Sequence, residues 1–314
     1  MPTIHFVIDQ DKSFLNFVIE NKPRLRELSD SSIFDSINSE FYRRIMVNDA
    51  INTDTVALNA LKDAFMQLYE QETASIADTF TEEASHFAMK FELFNEEHRP
   101  QLKKFFDTLH SFFGLQNPLY SVEVLLSPVT QSENNYLFKK LPSSFSGQNS
   151  KPTVILFPLN HSISDFNERV KMLFHELSHA TDYQHTTSEQ TKSKLYRLAE
   201  KKVAFIRSKI PMAQQMRDID IIKILYEVIV NTLSHRRFGM FLEVVLGDTT
   251  LHGNRDKNWI ENFKFDSSRH TIGDLQMVAA WKVLPYTREY FVNKKEVDDA
   301  LFNIVCEKIC TIVI

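Results

Sequence analysis

The chain has 314 residues, 43% hydrophobic and 25% charged, with a formal net charge of −5. That is enough apolar material for one large core or two ordinary ones, and the excess of acid offers nucleic acid no basic field to bind. No apolar run reaches the roughly eighteen residues of a membrane span, and Met1–Lys12 lacks the basic and apolar regions of a signal peptide, so neither a membrane partner nor a signal-directed route is expected.

Two residue types narrow the classes further. The only cysteines, Cys306 and Cys310, stand four residues apart near the end, where they read as small core residues of a last helix rather than a disulfide framework. Glycine occurs six times, at positions 114, 147, 239, 247, 253 and 273, never closely enough spaced to cradle a phosphate. Dinucleotide-binding and P-loop folds are therefore excluded.

In chain order, Ile4–Ile8 reads as a short strand, followed by helices over Ser31–Met46, Asp54–Tyr69, Glu82–Phe94 and Pro100–Phe113, the last closed by Gly114 at the C′ position. Phe87, Phe91, Phe94, Phe105, Phe106, Phe112 and Phe113 recur at helical spacing and are predicted core. His86, His98 and His110 lie on these helices without partners at metal spacing, and read as structural or solvated. Ser121–Ser127 alternates like a strand, a polar loop covers 128–152, and Thr153–Leu159 is a second, strongly apolar strand whose edge could hold an extended peptide. Ser188–Lys209 reads as a charged surface helix, an apolar stretch begins at Ile221, a loop spans Gly247–Asn258, and Ile272–Ile314 is mostly helical. The expected fold is α+β and mostly helical, with a helical region over 1–115 that could dock substrate and a second domain over 116–314.

Between the apolar strand and the charged helix, Phe174–His185 reads F-H-E-L-S-H-A-T-D-Y-Q-H. His175 and His179 fall one above the other on a helix and can converge on one ion, while Glu176 lies roughly 100° round the helix, in reach of a water on that ion. This is H-E-x-x-H, the pattern of a catalytic zinc site. Asp165 and Glu168 form a D-x-x-E capping signal ahead of it, and Phe166, Val170, Leu173 and Leu177 supply the apolar stripe.

Catalytic zinc commonly takes three protein ligands, and the sequence offers competing candidates for the third. The spacing of His175, His179 and His185 matches the metzincin ligand pattern, but that family breaks the helix with a glycine where this chain has Asp182. In an unbroken helix His185 would lie about 15 Å along the axis from His175, too far to share an ion unless Asp182 turns left-handed; Asp182 is itself a lesser candidate ligand. Glu227 is the other candidate, a carboxylate in the apolar run I-I-K-I-L-Y-E-V-I-V that is costly to bury unless paired or bound to a cation. Lys223, four residues earlier, offers the simpler alternative of an exposed ion pair.

Glu227 followed four residues later by Asn231 resembles the gluzincins, in which a helical glutamate is the third ligand and an acidic residue four positions on orients a ligand histidine. Asn231 keeps that hydrogen-bonding capacity without the charge. H-E-L-S-H-A-T-D-Y is similar to the thermolysin signature and closer to the catalytic domain of anthrax lethal factor, over about seventy residues from Asp165 to Arg237. The resemblance implies a zincin-like domain with a small sheet beside the motif helix, Zn2+ held by His175, His179 and Glu227, and an endopeptidase acting on protein or peptide. In such an enzyme Glu176 takes a proton from the water that zinc acidifies. Tyr226, His235, His270, Tyr286 and Tyr290 are candidate donors to the developing oxyanion. The resemblance also implies an effector or toxin exported without a signal peptide onto a host protein, an ordinary cytoplasmic peptidase being the other reading. The rival class is a zinc-binding or degenerate zincin-fold protein without activity.

Overall fold

A computed structural model describes residues 2–9, 13, 14, 17, 63, 66–74, 77–116, 121–127, 137–138, 154–158, 165–184, 192–249 and 257–313. The described residues are mostly helical with one small sheet. The helix expected over Ser31–Met46, most of that over Asp54–Tyr69, and much of the loops at 128–152 and 247–258 lie outside them.

The chain divides into two compact units. One, Thr3–Leu93 with Ser121–Phe166, contains the sheet. Strands β1 (Thr3–Val7), β2 (Ser121–Ser127), β3 (Leu137–Phe138) and β4 (Val154–Pro158) are arranged β1-β2-β4-β3. The pairs β1/β2 and β2/β4 are parallel, with Thr3 opposite Ser121 and Glu123 opposite Val154, while β3 runs antiparallel to β4. Central position explains why β2 buries Val122, Val124, Leu125 and Leu126, residues of both faces. It also corrects the expectation for Thr153–Leu159: β4 has a neighbour on each side, so the edge strands are β1 and β3. Helix α1 (Ala77–Glu97) supplies aromatic cover, with Phe6 of β1 meeting Phe87 and Phe91 edge-on at ring separations of 5.5 and 5.1 Å.

This grouping departs from a cut at residue 115. Parallel pairing of β1 with β2 ties the first residues to the second half of the sheet, whereas α2 (Arg99–Phe113) belongs to the other unit, Met1–Pro2, Phe94–Tyr120 and Asn167–Ile314. Gly114 ends α2 at φ +68°, a left-handed conformation that glycine adopts without strain.

The second unit continues with α3 (Phe166–Tyr183), α4 (Lys194–Glu200), α5 (Val203–Lys209), a 3-10 turn at Pro211–Gln214, α6 (Asp218–Ser234), α7 (Met240–Val245), α8 (Lys257–Glu261), α9 (Ile272–Val292) and α10 (Asp299–Ile312). The charged segment before Lys209 is thus two short helices separated at Lys201–Lys202, and both bury apolar faces through Leu195, Leu198, Val203 and Ile206. Its first residues, 188–191, lie outside those described. Helix α6 packs most extensively on α9, which in turn packs on α10. A phenylalanine cluster fills the unit: Phe174 of α3 stacks on Phe241 of α7 at 4.1 Å, and Phe105 of α2 meets both edge-on. Cys306 is buried and Cys310 half-buried in α10, both as free thiols, and burial pushes Cys306 up to about 12. No described helix is long and apolar enough to cross a membrane.

Candidate metal centre

The site is built by α3 and α6. Asp165 stands immediately before α3, where its spacing predicts a cap, and Glu168 in the first turn bonds Lys171 at 2.8 Å. From Phe174 to Asp182 the helix is buried nearly all round, His175 being the one position left partly open. Helix α6 is likewise wrapped in apolar contacts through Ile221, Ile222, Leu225, Val228, Ile229 and Leu233, which leaves Lys223, Tyr226 and Glu227 on its less covered strip. A buried hydrogen bond of 2.9 Å between Ser178 and Ser234 fixes the two helices in register.

That register brings three candidate ligand side chains together. His175 Nε2 and His179 Nε2 are 3.1 Å apart, and the Glu227 carboxylate lies 3.5 Å from the first and 3.4 Å from the second. Ligands held at about 2.0–2.2 Å from a tetrahedral ion are about 3.3–3.5 Å from one another, so the two nitrogens and the carboxylate, which meets them through its two different oxygens, already stand near coordination spacing. His175, Glu176 and His179 also form a group able to hold a metal ion, their ligand atoms all within 4.8 Å. The Glu227 carboxylate thus lies within ion-pair distance of both imidazoles. Glu176, only 6% exposed, stands beside them.

Protonation suits the same purpose. Burial would push Glu227 up, but its interactions with the imidazoles of His179 and His175 outweigh it and hold the carboxyl below the usual range. Burial dominates at His179 and brings it down to about 4, so its ring is neutral at pH 7. At His175 burial also acts downward, yet hydrogen bonding to Glu227 and the charges of Glu227 and Glu176 prevail and raise it. An incoming cation would displace that proton.

The remaining predicted residues are distributed as follows. Tyr226 does not face the ligand set as an oxyanion donor would. Its hydroxyl is 2.5 Å from His179 Nδ1, its ring stacked on the imidazole at 5.0 Å. Asn231 is buried one turn past Glu227, but the ring atoms it was expected to hold are met by Tyr226 and, for His175, by the backbone of Ser234. Asp182 is not a ligand here: its Oδ1 accepts the Leu195 N–H at 3.1 Å, with the Ser193 hydroxyl and Lys194 N–H alongside, so it caps α4 from the end of α3. Burial pushes Asp182 up to about 6 despite these donors. His185 lies outside the described residues.

His235 ends α6 in a tight turn whose return depends on Gly239 at φ +124°, where a side chain would meet the backbone of Thr232, Leu233 and His235 at 3.1–3.2 Å. The turn sets the tautomer, because His235 Nδ1 accepts the Arg237 N–H at 3.3 Å and the ring proton is therefore on Nε2. Burial, with the positive charges of His175, Arg236 and Arg237, lowers its pKa to about 3 and keeps it neutral. Among the described residues the other three donors are engaged elsewhere: His270 with the Asp266 N–H, Tyr290 with Asp298, and Tyr286 beneath the Lys308 ammonium. Sequence reasoning missed the Ser234 backbone and the true partner of Tyr226, since nothing in a linear pattern reports on rotation of one helix against another.

Comparison of the chain with protein-family models, with curated proteins and with solved structures gives no match.

Proposed function

We propose that the chain is a zinc-dependent peptidase of zincin type, with His175, His179 and Glu227 as ligands and Glu176 as general base. The observation that carries the reading is the convergence of two imidazole nitrogens and a carboxylate within 3.1–3.5 Å of one another, with a second, buried carboxylate beside them. Two nitrogens and one oxygen are the donor set of a catalytic rather than a structural zinc site, which would close its fourth position with Cys or His. Bound zinc supplies a Lewis acid that polarises a carbonyl and makes a coordinated water acidic near neutral pH.

The chain's own groups complete the chemistry. Glu176 takes the proton of the attacking water and later returns it to the leaving amine. His235, neutral and carrying its proton on Nε2, is the donor suited to the oxyanion, since it needs no change of ionisation at neutral pH. His175 and His179 stay oriented through their outer ring atoms by Ser234 and Tyr226.

The test compares wild type with Glu176→Gln, measuring zinc per chain and cleavage of an unfolded protein such as casein. The expected result is about one zinc in both, with hydrolysis reduced by orders of magnitude in the variant. An active variant refutes the role of Glu176. A zinc-loaded wild type that cleaves no unfolded substrate leaves a metal-binding protein instead.

A further inference from the structure

A groove outside the metal centre is formed by α2, α7 and the end of α9. On α2 its lining runs from Pro100 to Thr108 at helical spacing, about 12 Å along the axis, and the cavity measures about 480 Å³, within the range of ligand sites. Met240 and Phe291, each no more than 3% exposed, make an apolar floor. The rim is basic, with Lys103, Lys104 and Lys294 against one acid, Asp107, in a chain whose net charge is −5. Lys103 is bonded to Asp107 at 2.6 Å, whereas Lys104 and Lys294 have no acidic partner among the described residues. Two departures from ordinary packing fall on the same rim. Val292 is 72% exposed, the highest value for a large apolar side chain among the described residues. Lys294 turns the chain off α9 at φ +50°, and no other non-glycine residue among those described takes a positive φ. Glycine takes that conformation with less strain, so what lysine adds there is an ammonium group beside the apolar floor.

We propose that this groove docks an extended, acidic segment of a partner polypeptide, with one bulky apolar side chain on the floor and carboxylates at Lys104 and Lys294. The length of the α2 wall suits about four residues of extended chain. Cations on two different walls over an apolar floor complement a ligand that combines apolar and anionic groups, and the same charges repel a basic one. A bilayer surface does not reach a recessed floor, and Phe291 is too buried to stack on a nucleic-acid base. The proposal does not rest on the metal reading, because no residue of the groove belongs to the ligand set.

The probe is a dye-labelled hexapeptide with a central phenylalanine–leucine pair and two glutamates on each side, and its binding to the full chain is followed by fluorescence anisotropy. Lys104→Glu is expected to weaken binding about tenfold or more, and Lys294→Gly about threefold to tenfold. Lys294→Gly is also expected to unfold in urea no earlier than wild type, because glycine is favoured at that backbone angle, so its loss of affinity is not a loss of fold. Lys264→Glu, an equal charge reversal outside the groove, is expected to leave affinity within about twofold. A probe with glutamines for glutamates, or alanines for the apolar pair, is expected to lose most of its binding. Binding is expected to persist after zinc is removed with a chelator; binding lost with the zinc places the probe at the metal centre and overturns the groove. Equal affinities in Lys104→Glu, Lys294→Gly and Lys264→Glu overturn it too, as does a wild type that does not bind the probe. Sedimentation with phosphatidylserine vesicles that Lys104→Glu abolishes, without peptide binding, overturns the polypeptide as occupant.

Discussion

Replacing Asp182 by asparagine should stabilise the metal-free protein at neutral pH and do nothing at low pH. The carboxyl is fully buried, and its folded pKa stands at about 6 against an ordinary 3.8. Below about pH 4 both folded and unfolded states carry the proton, and the group costs nothing. Between about pH 4 and 6 the unfolded state ionises first, so stability falls as pH rises, and above about pH 6 the full penalty is present. The difference of about two units, at about 1.4 kcal/mol each, gives a penalty of about 3 kcal/mol, which the neutral amide escapes. Urea unfolding of chelator-treated wild type and Asp182→Asn at about pH 4 and about pH 7.5 measures it. Metal is removed so that zinc binding to the folded state does not add to the difference between the two proteins. A variant less stable than wild type at pH 7.5, or a gain equal at both pH values, would refute the reasoning and mean that the N-terminal donors of α4 fully satisfy the carboxylate.

Glu227→Ala should reduce zinc per chain to near zero while His185→Ala keeps it, as metal analysis of the purified proteins would show; the reverse result would favour the metzincin-like ligand set. His235→Ala should retain zinc and lower kcat about 100-fold or more with little change in KM, the expected loss for one oxyanion donor. An unchanged kcat would remove His235 from the mechanism.

The two helices of the site were legible in sequence because each carries a local signal. H-E-x-x-H needs only the pitch of one helix to put His175 above His179, and Asp165 announces where that helix begins. Glu227 was legible for a different reason: a carboxylate in an apolar run demands a partner, and two neutral or weakly basic rings on another helix are a better one than exposed Lys223. The position of β4 within the sheet was not legible, because its second neighbour, β3, is a two-residue strand with no alternation to read, inside the stretch 128–152 that reads as a polar loop. Nor was the division of labour between Tyr226 and Asn231. Sequence spacing placed Asn231 on the Glu227 face, but which residue reaches a ring nitrogen is decided by how α6 is turned about its axis.

That rotation is what the rest of the second unit holds fixed. Tyr226 and Glu227 are successive residues, about 100° apart round α6, and they address opposite sides of one imidazole: the phenol meets His179 Nδ1, the carboxylate faces Nε2. A turn of α6 would move both contacts at once, so ligand and supporting partner are disturbed together rather than one by one. The buried Ser178–Ser234 hydrogen bond pins the helix at its C-terminal end, close to where the Ser234 backbone also meets His175. Packing on α9 and α4 covers most of the rest of its circumference. Removing the Ser178 hydroxyl leaves that of Ser234 buried without its partner, at a cost of about 1–3 kcal/mol. The damage should reach the metal centre through the position of α6, although neither serine side chain is part of the ligand set.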